Sequence, residues 1–327
     1  MEVSRQIVAV DIGGTHARFG IATFEPDGAI TLGKVRTLKT RDYRALEDAF
    51  SAYRSGLGDA LPRAASIAMA GLVEGDVIPF TNNQWTLHRK HLKNEFDFER
   101  CHVVNDFEAV AHAVSQAASD QFLHLAGPSG DLPRFGTVSV VGPGTGLGVA
   151  HFHRERDGRA LVQSTEGGHA SFAPVDRFER ALYERLKAHF GRVSTERALC
   201  GPAIAEYYEV LCELEGLAAP RKEEIEIWRT GLTGEDPLAA KSIGRFCDAL
   251  GSVTGDIALV HGARGVVIAG GLGSRLRAAL PASNFHSRFT DKGRFTPHME
   301  GLPVKLVTLA EPGLVGAAVA YARASQR

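Results

Sequence analysis

Hydrophobic residues in this chain come in short runs that stop at glycine-rich turns. The first run, Ile7-Val8-Ala9-Val10, ends in Asp11 and is followed by Ile12-Gly13-Gly14-Thr15 and a second extended run, Phe19-Gly20-Ile21-Ala22-Thr23-Phe24. That order predicts strand, glycine turn, strand. The pattern returns at Val138-Ser139-Val140-Val141, passes through Gly142-Pro143-Gly144-Thr145-Gly146-Leu147-Gly148, and leaves through Val149-Ala150. Two such hairpins about half a chain apart point to an internal duplication.

The rest of the pattern fills in around them. A third strand is expected over Ile30–Leu38. Asp42 is expected to cap a helix over Tyr43–Ser55, with Leu46, Ala49, Phe50 and Tyr53 on one face. A short apolar strand follows at Ala65–Ala70, then a polar loop at Thr81–Trp85 and a helix from Thr86 to Phe96. The strand His102-Val103-Val104 leads into Asn105-Asp106 and a helix over Phe107–Ser119. After a Gly127-Pro128-Ser129-Gly130 linker the pattern restarts at Thr137, with a further strand near Leu161–Ser164. Helices are predicted over Val175–Phe190, Ser194–Leu199, Ala203–Leu214 and Ala239–His261. The strand Gly265–Ala269 runs into Gly270-Gly271-Leu272-Gly273 and a helix to Leu280. Val304–Thr308 is a late strand and Gly313–Ala324 a final helix.

Composition narrows the possibilities. The 327 residues suffice for two domains. A formal net charge of -1 favours neither nucleic acid nor an anionic membrane as partner. No stretch approaches the ~18 uninterrupted apolar residues of a membrane span. The first strand starts at once, so neither a signal peptide nor a leading helix-turn-helix is expected. The four cysteines, Cys101, Cys200, Cys212 and Cys247, show no CxxC spacing, which fits a reduced cytosolic protein without a structural zinc cluster.

Two motifs mislead. Gly28–Val35 nearly spells a P-loop, but Val35 stands where a Ser or Thr would bind magnesium, and the stretch reads as a strand. The Gly142–Gly148 turn has an acid, Glu166, about twenty residues on, as dinucleotide folds do. Those folds need a helix after the glycines, whereas Val149-Ala150-His151-Phe152-His153 alternates like a strand.

Consecutive glycines let backbone N–H groups approach an anion. Asp11 at the mouth of the first turn makes sense beside a polyphosphate if a divalent cation lies between them. The same residues also suit a plain hairpin with Asp as turn former. Asn105 with Glu108 three residues on reads as a capping box, which competes with a catalytic reading of Asn105-Asp106. Glu166-Gly167-Gly168-His169 could be an ordinary turn, and Glu196 an acid in the first turn of a helix capped by Ser194. Together they offer the amide, carboxylate and imidazole groups that pair with the hydroxyls of a polyhydroxylated ligand.

The pair of glycine turns resembles the phosphate-1 and phosphate-2 segments of the actin–hexokinase–Hsp70 class of ATPase domains. The ordered set Asp-x-Gly-Gly-Thr-x-x-Arg, Thr-Asn-x-x-Trp, Asn-Asp-Phe, Gly-x-Gly-Thr-Gly-Leu-Gly, Glu-Gly-Gly-His, Ser-x-Glu-Arg, Ala-Gly-Gly and Pro-Gly-Leu resembles the bacterial ATP-dependent glucokinase family, from Val8 to Ala317. The resemblance implies an α/β, duplicated ribonuclease-H-like fold of two lobes. The small lobe would hold residues 1–116 plus 313–327 and the large lobe 117–312. It implies phosphorylation of D-glucose at O6 by ATP, feeding glycolysis. Asn105, Asp106, Glu166, His169 and Glu196 would contact glucose, with Asp106 as general base. Val10, Asp11, Ile12, Gly13, Gly14 and Thr15, with Gly142, Gly144, Thr145 and Gly146, would hold the ATP phosphates, and Gly270 and Gly271 would lie near the adenosine. Mg2+ would be reached from Asp11 through water.

A cytoplasmic homodimer is expected, with no nucleic-acid or membrane partner. A kinase of another hexose and a non-catalytic sugar sensor are the alternatives. The chain departs from the family pattern at His16, where Asn is common, and at Pro143, where Ala is common. The related repressor/open-reading-frame/kinase family carries a cysteine-rich zinc motif after its Gly-His. Here Ala170-Ser171-Phe172 follow His169, so no zinc is expected.

Overall fold

The computed structural model describes residues 5–57, 61–71, 73–80, 84–218 and 222–325. The chain forms two compact units, Met1–Ala117 with Leu309–Arg327, and Ala118–Thr308.

In the first unit, β1 (Gln6–Ile12) turns back antiparallel into β2 (His16–Phe24). β3 (Ile30–Leu32) and β4 (Arg36–Lys39) both pair with β2. After α1 (Leu46–Ser55), β5 (Ala64–Met69) lies parallel to β1. A small hairpin, β6 (Val77–Pro79) with β7 (Thr86–His88), precedes α2 (Arg89–Phe96). β8 (Arg100–Asn105) then pairs parallel with β5 and runs into α3 (Asp106–Gln116).

Alternation along β1 fixes its two faces, because successive side chains point to opposite sides of a sheet. Val8, Val10 and Ile12 pack with Phe50, Tyr53 and Phe96 on one side. Ile7 and Ala9 face the other, against the last helix of the chain.

The second unit repeats the design. It opens with β9 (Phe122–Ala126), and β10 (Gly136–Pro143), β11 (Leu147–Arg154) and β12 (Ala160–Thr165) form an antiparallel meander. The helices α4 (Arg177–Phe190), α5 (Thr195–Leu199), α6 (Ile204–Glu215), α7 (Glu224–Thr233) and α8 (Pro237–Val260) follow. β13 (Ala263–Ile268) returns parallel to β10. The short helices α9 (Gly270–Arg275), α10 (Ala279–Ala282), α11 (Phe285–Thr290) and α12 (Thr296–Glu300) lead to β14 (Val304–Val307), parallel to β13 and antiparallel to β9. The final helix, α13 (Pro312–Ser325), belongs to the first unit. Strand orders β3-β2-β1-β5-β8 and β12-β11-β10-β13-β14 match element for element, which is the duplication the sequence announces.

Several boundaries differ from the sequence expectation. Ile30–Leu38 breaks into β3 and β4, because the Gly33 N–H donates to the Ile21 carbonyl at 2.8 Å and bends the chain between them. Asp42 ends a short 3-10 turn instead of capping a helix, and α1 starts at Leu46 behind Ala45. Thr86 begins strand β7, where pairing with β6 outweighs its capping propensity, and α2 starts only at Arg89. The helix expected to reach Ser119 stops at Gln116, and the one expected to reach Leu280 divides into α9 and α10. Gly127–Gly130 joins β9 to β10 within the second unit, with Gly127 at φ +73. Residues 81–83 of the expected polar loop lie outside the described residues. Beside them, the Trp85 indole donates to the Tyr43 carbonyl at 3.1 Å. β6, β9, α7, α11 and α12 have no counterpart in the sequence expectation.

Candidate active site

In the first unit, both groups of interest emerge from the carboxyl edge of the parallel strands. β1 and β8 flank β5 in parallel, with Ile12 opposite Met69 and Met69 opposite Asn105. The Gly13-Gly14-Thr15 turn and the Asn105-Asp106 pair therefore leave the same edge, where open α/β sheets bind ligands. Backbone contacts close the turn. The Gly13 N–H donates to the His16 carbonyl at 3.0 Å, and Thr40 donates its N–H to the Thr15 carbonyl (3.0 Å) and its hydroxyl to the Gly14 carbonyl (2.8 Å). His16 thus closes the turn through its main chain, an interaction open to any residue.

Asp11 sits at the end of β1 with its side chain 17% exposed, and Arg18 Nη1 reaches its Oδ2 at 3.2 Å. Arg18 Nε lies 3.2 Å from Glu311 Oε2. Burial pushes the Asp11 carboxyl up from its ordinary value, while the Arg18 guanidinium opposes that shift. Gly313, in the first turn of α13, packs against this carboxylate so closely that a Cβ there would stand 2.5 Å from Asp11 Cγ. Glu311 itself adopts φ 49, an uncommon backbone for a non-glycine residue. Sequence reasoning named Asp11 and Arg18 within one motif but did not join them, and it missed Thr40 and Glu311. The visible signal for Glu311 was its place directly before Pro312-Gly313 at a helix start.

At Asn105 the capping reading is correct. Its Oδ1 accepts from Phe107 N–H at 2.9 Å and Glu108 N–H at 3.0 Å, and its Nδ2 donates to the Gly71 carbonyl at 3.1 Å. Asp106 is the first residue of α3, half-buried, with Oδ1 accepting from Phe107 N–H at 2.8 Å.

In the second unit, β10 ends at Pro143 and the turn Gly144-Thr145-Gly146 closes through the Gly144 N–H to the Gly146 carbonyl at 2.8 Å. Gly270, at φ +81, comes close enough that a Cβ would stand 3.0 Å from the Pro143 carbonyl oxygen, so Gly270-Gly271 borders this turn. Glu166 and His169 face each other with Oε2 and Nε2 3.6 Å apart, both well exposed. The Gly168 backbone presses on the Leu147 carbonyl, with no room for a side chain. Thr195 ties α5 to the same turn, its hydroxyl donating to the Gly168 carbonyl at 2.7 Å and its N–H to the Ala170 carbonyl at 2.8 Å. Ser194 caps α5 by accepting from Arg197 N–H at 3.3 Å. Half-buried Glu196 accepts from the Leu147 N–H at 3.0 Å. Glu166, His169, Glu196 and the second glycine turn are thus assembled within one unit.

Among the described residues no group of three or more His, Cys, Asp or Glu could hold a metal ion, and no helix is long and apolar enough to cross a membrane. Asp11 offers one hard carboxylate, already engaged on one side by Arg18. That donor set fits an Mg2+ ion that keeps most of its water and rides on phosphate oxygens.

The family model described as Glucokinase matches residues 8–324. A glucokinase of Zymomonas mobilis is 47% identical over 97% of this chain and 98% of its own length. One of Chromohalobacter salexigens is 40% identical over 96% and 97% respectively. Among solved structures, a glucokinase from an Antarctic psychrotroph superposes with a TM-score of 0.83 at 32% identity, covering 98% of this chain and all of its own. A ROK family glucokinase from Streptomyces griseus, in complex with glucose and AMPPNP, shares the fold at TM-score 0.64 and 22% identity, over 96% of this chain and 98% of its own.

Proposed function

This chain belongs to the glucokinase family, and from that premise we propose that it transfers the γ-phosphoryl group of ATP to O6 of D-glucose, giving glucose 6-phosphate and ADP. The observation that carries the assignment of roles is the division of labour at the start of α3. Asn105 supplies the cap, accepting from both Phe107 and Glu108 N–H groups. The adjacent carboxylate of Asp106 shares the Phe107 N–H with it, so the cap does not depend on Asp106 alone, and that carboxylate can serve as base.

Phosphoryl transfer asks the protein mainly for positioning and charge stabilisation, with a group to take the hydroxyl proton. Asp106 accepts the O6 proton. Asn105, Glu166, His169 and Glu196 pair with the sugar hydroxyls, and such pairing discriminates against analogues lacking them. The turns spanning Val10–Thr15 and Gly142–Gly146 present backbone N–H groups to the phosphates, with Gly270 and Gly271 beside the adenosine. Asp11 would hold Mg2+ through water, and the ion would offset charge on the phosphates. Arg18 opposes the effect of burial on the Asp11 carboxyl and holds its Oδ2 at 3.2 Å. We propose in addition that it works as a cytoplasmic homodimer.

Asp106→Asn tests the reading. A positioned general base contributes ~10²–10⁴-fold in rate. The variant should lose about that factor in kcat, while calorimetric glucose affinity weakens far less and the melting temperature holds, since the cap is at Asn105. Normal turnover in Asp106→Asn would remove it from the mechanism.

A further inference from the structure

Glu196, assigned above to the sugar, also reaches the second phosphate turn. Its Oε2 accepts the Leu147 N–H at 3.0 Å, directly after Gly144-Thr145-Gly146. The stretch that carries Glu196 grips the turn a second time, where the Gly201 N–H donates to the Gly144 carbonyl at 2.7 Å. Gly201 is itself anchored from behind, its carbonyl accepting from the Trp228 indole on α7 at 3.0 Å. Gly146 leaves the space that the carboxylate uses, for a Cβ there would stand 3.1 Å from Glu196 Cδ and closer still to Oε2. Through Thr195, the same five-residue helix holds the Gly168 and Ala170 carbonyls of the turn bearing Glu166 and His169.

We infer that Glu196 is a positioning residue for the second phosphate turn, so that one carboxylate links the sugar-facing and phosphate-facing parts of this unit. The inference rests on the kinase reading of the preceding subsection. Its physical basis is that a carboxylate makes a stronger hydrogen bond to a backbone N–H than a neutral acceptor does. A sugar hydroxyl donating to Glu196 shares that carboxylate with Leu147, so sugar occupancy alters the hold on the turn. The two affinities are then coupled, and by the same factor in both directions.

The test measures binding of a non-hydrolysable ATP analogue with Mg2+, in the absence of sugar, to the wild type, Glu196→Ala, Glu196→Gln and Gly146→Ala. Loss of a charge-assisted hydrogen bond should raise the analogue Kd about tenfold or more in Glu196→Ala. Glu196→Gln, whose amide oxygen can still accept from Leu147, should recover much of the loss. Gly146→Ala, which displaces the carboxylate without removing it, should reproduce the loss. Hydrogen exchange at the Leu147 amide should accelerate in Glu196→Ala while the melting temperature stays near wild type. An unchanged sugar-free Kd with unchanged Leu147 exchange overturns the inference and leaves Glu196 a sugar ligand only. A raised analogue Kd with weakened calorimetric glucose affinity supports the inference, whereas a raised analogue Kd with unaltered glucose affinity overturns the link, since Glu196 then serves the phosphate turn alone. A wild type that binds no nucleotide either with or without glucose overturns both readings.

Discussion

Gly316 shows how packing far from the chemistry should govern it. It lies in α13 where that helix crosses α3, and a Cβ added there would overlap the Ala109 carbonyl group and stand 3.0 Å from Ala109 Cα. Carbon atoms pack at about 3.5–4.0 Å, so Gly316→Ala requires the helices to part by at least about 0.5–1 Å. The obstacle is backbone, which cannot swing aside. Overpacking of this kind costs about 1–3 kcal/mol, offset by the ~1 kcal/mol that Ala gains over Gly in a helix interior. The difference spans roughly 0–2 kcal/mol, and overlap with backbone as deep as this selects the upper end, so a net loss approaching ~2 kcal/mol should lower the melting temperature by several degrees, at about 2–4 °C per kcal/mol. The functional effect should be larger, because α3 carries Asp106 at its first turn, and a misplacement of ~1 Å can cost about 10²-fold in rate. Gly244 in α8 is the control, since nothing lies within 4 Å of a Cβ placed there. Gly244→Ala should therefore melt at or above the wild-type temperature with unchanged kcat. Thermal melts and steady-state turnover on the three proteins test the argument. A Gly316→Ala variant as stable and as active as Gly244→Ala would refute it.

Gly313→Ala places a Cβ 2.5 Å from Asp11 Cγ and 2.6 and 2.8 Å from its oxygens. The KM for MgATP should rise about tenfold, roughly 1.4 kcal/mol of binding, with glucose affinity unchanged, and an unaltered MgATP KM would contradict the role given to Asp11. His261, with Nδ1 2.9 Å from Ser139 Oγ and its ring 4.6 Å from that of His151, is pushed by burial from 6.5 down to about 4. The fold thus favours the neutral ring, and the stability this contributes is complete above about pH 6.5 and is lost as pH falls from there towards 4. Melting temperature should fall less steeply over that window in His261→Gln than in the wild type, and parallel acid limbs would exclude His261 as a source.

The parts of the fold most legible in the sequence were those set by short-range patterns. Ile7–Val10 and Val138–Val141 could only be buried strands, and their repeated turns disclosed the duplication. The boundaries at Leu46 and Arg89 were lost because strand pairing and a 3-10 turn overrode the capping residues Asp42 and Thr86. At the candidate site, Asn105 as cap was readable from its own neighbours. The pairing of Arg18 with Glu311 was not, because it joins residues at opposite ends of the chain. Nor does anything local to Glu196 show that it holds the Leu147 amide, 49 residues away. Such contacts are products of the tertiary fold and leave no mark on either segment alone.

The claim that glucose is the phosphoryl acceptor is tested most directly by ADP release from the wild-type protein with ATP, Mg2+ and a panel of hexoses at equal concentration. The position of the product phosphate is read by NMR in the same experiment. The largest kcat/KM should belong to D-glucose, with the phosphate on O6. A different hexose outrunning glucose, or ADP release that no sugar raises above the sugar-free rate, would contradict the account.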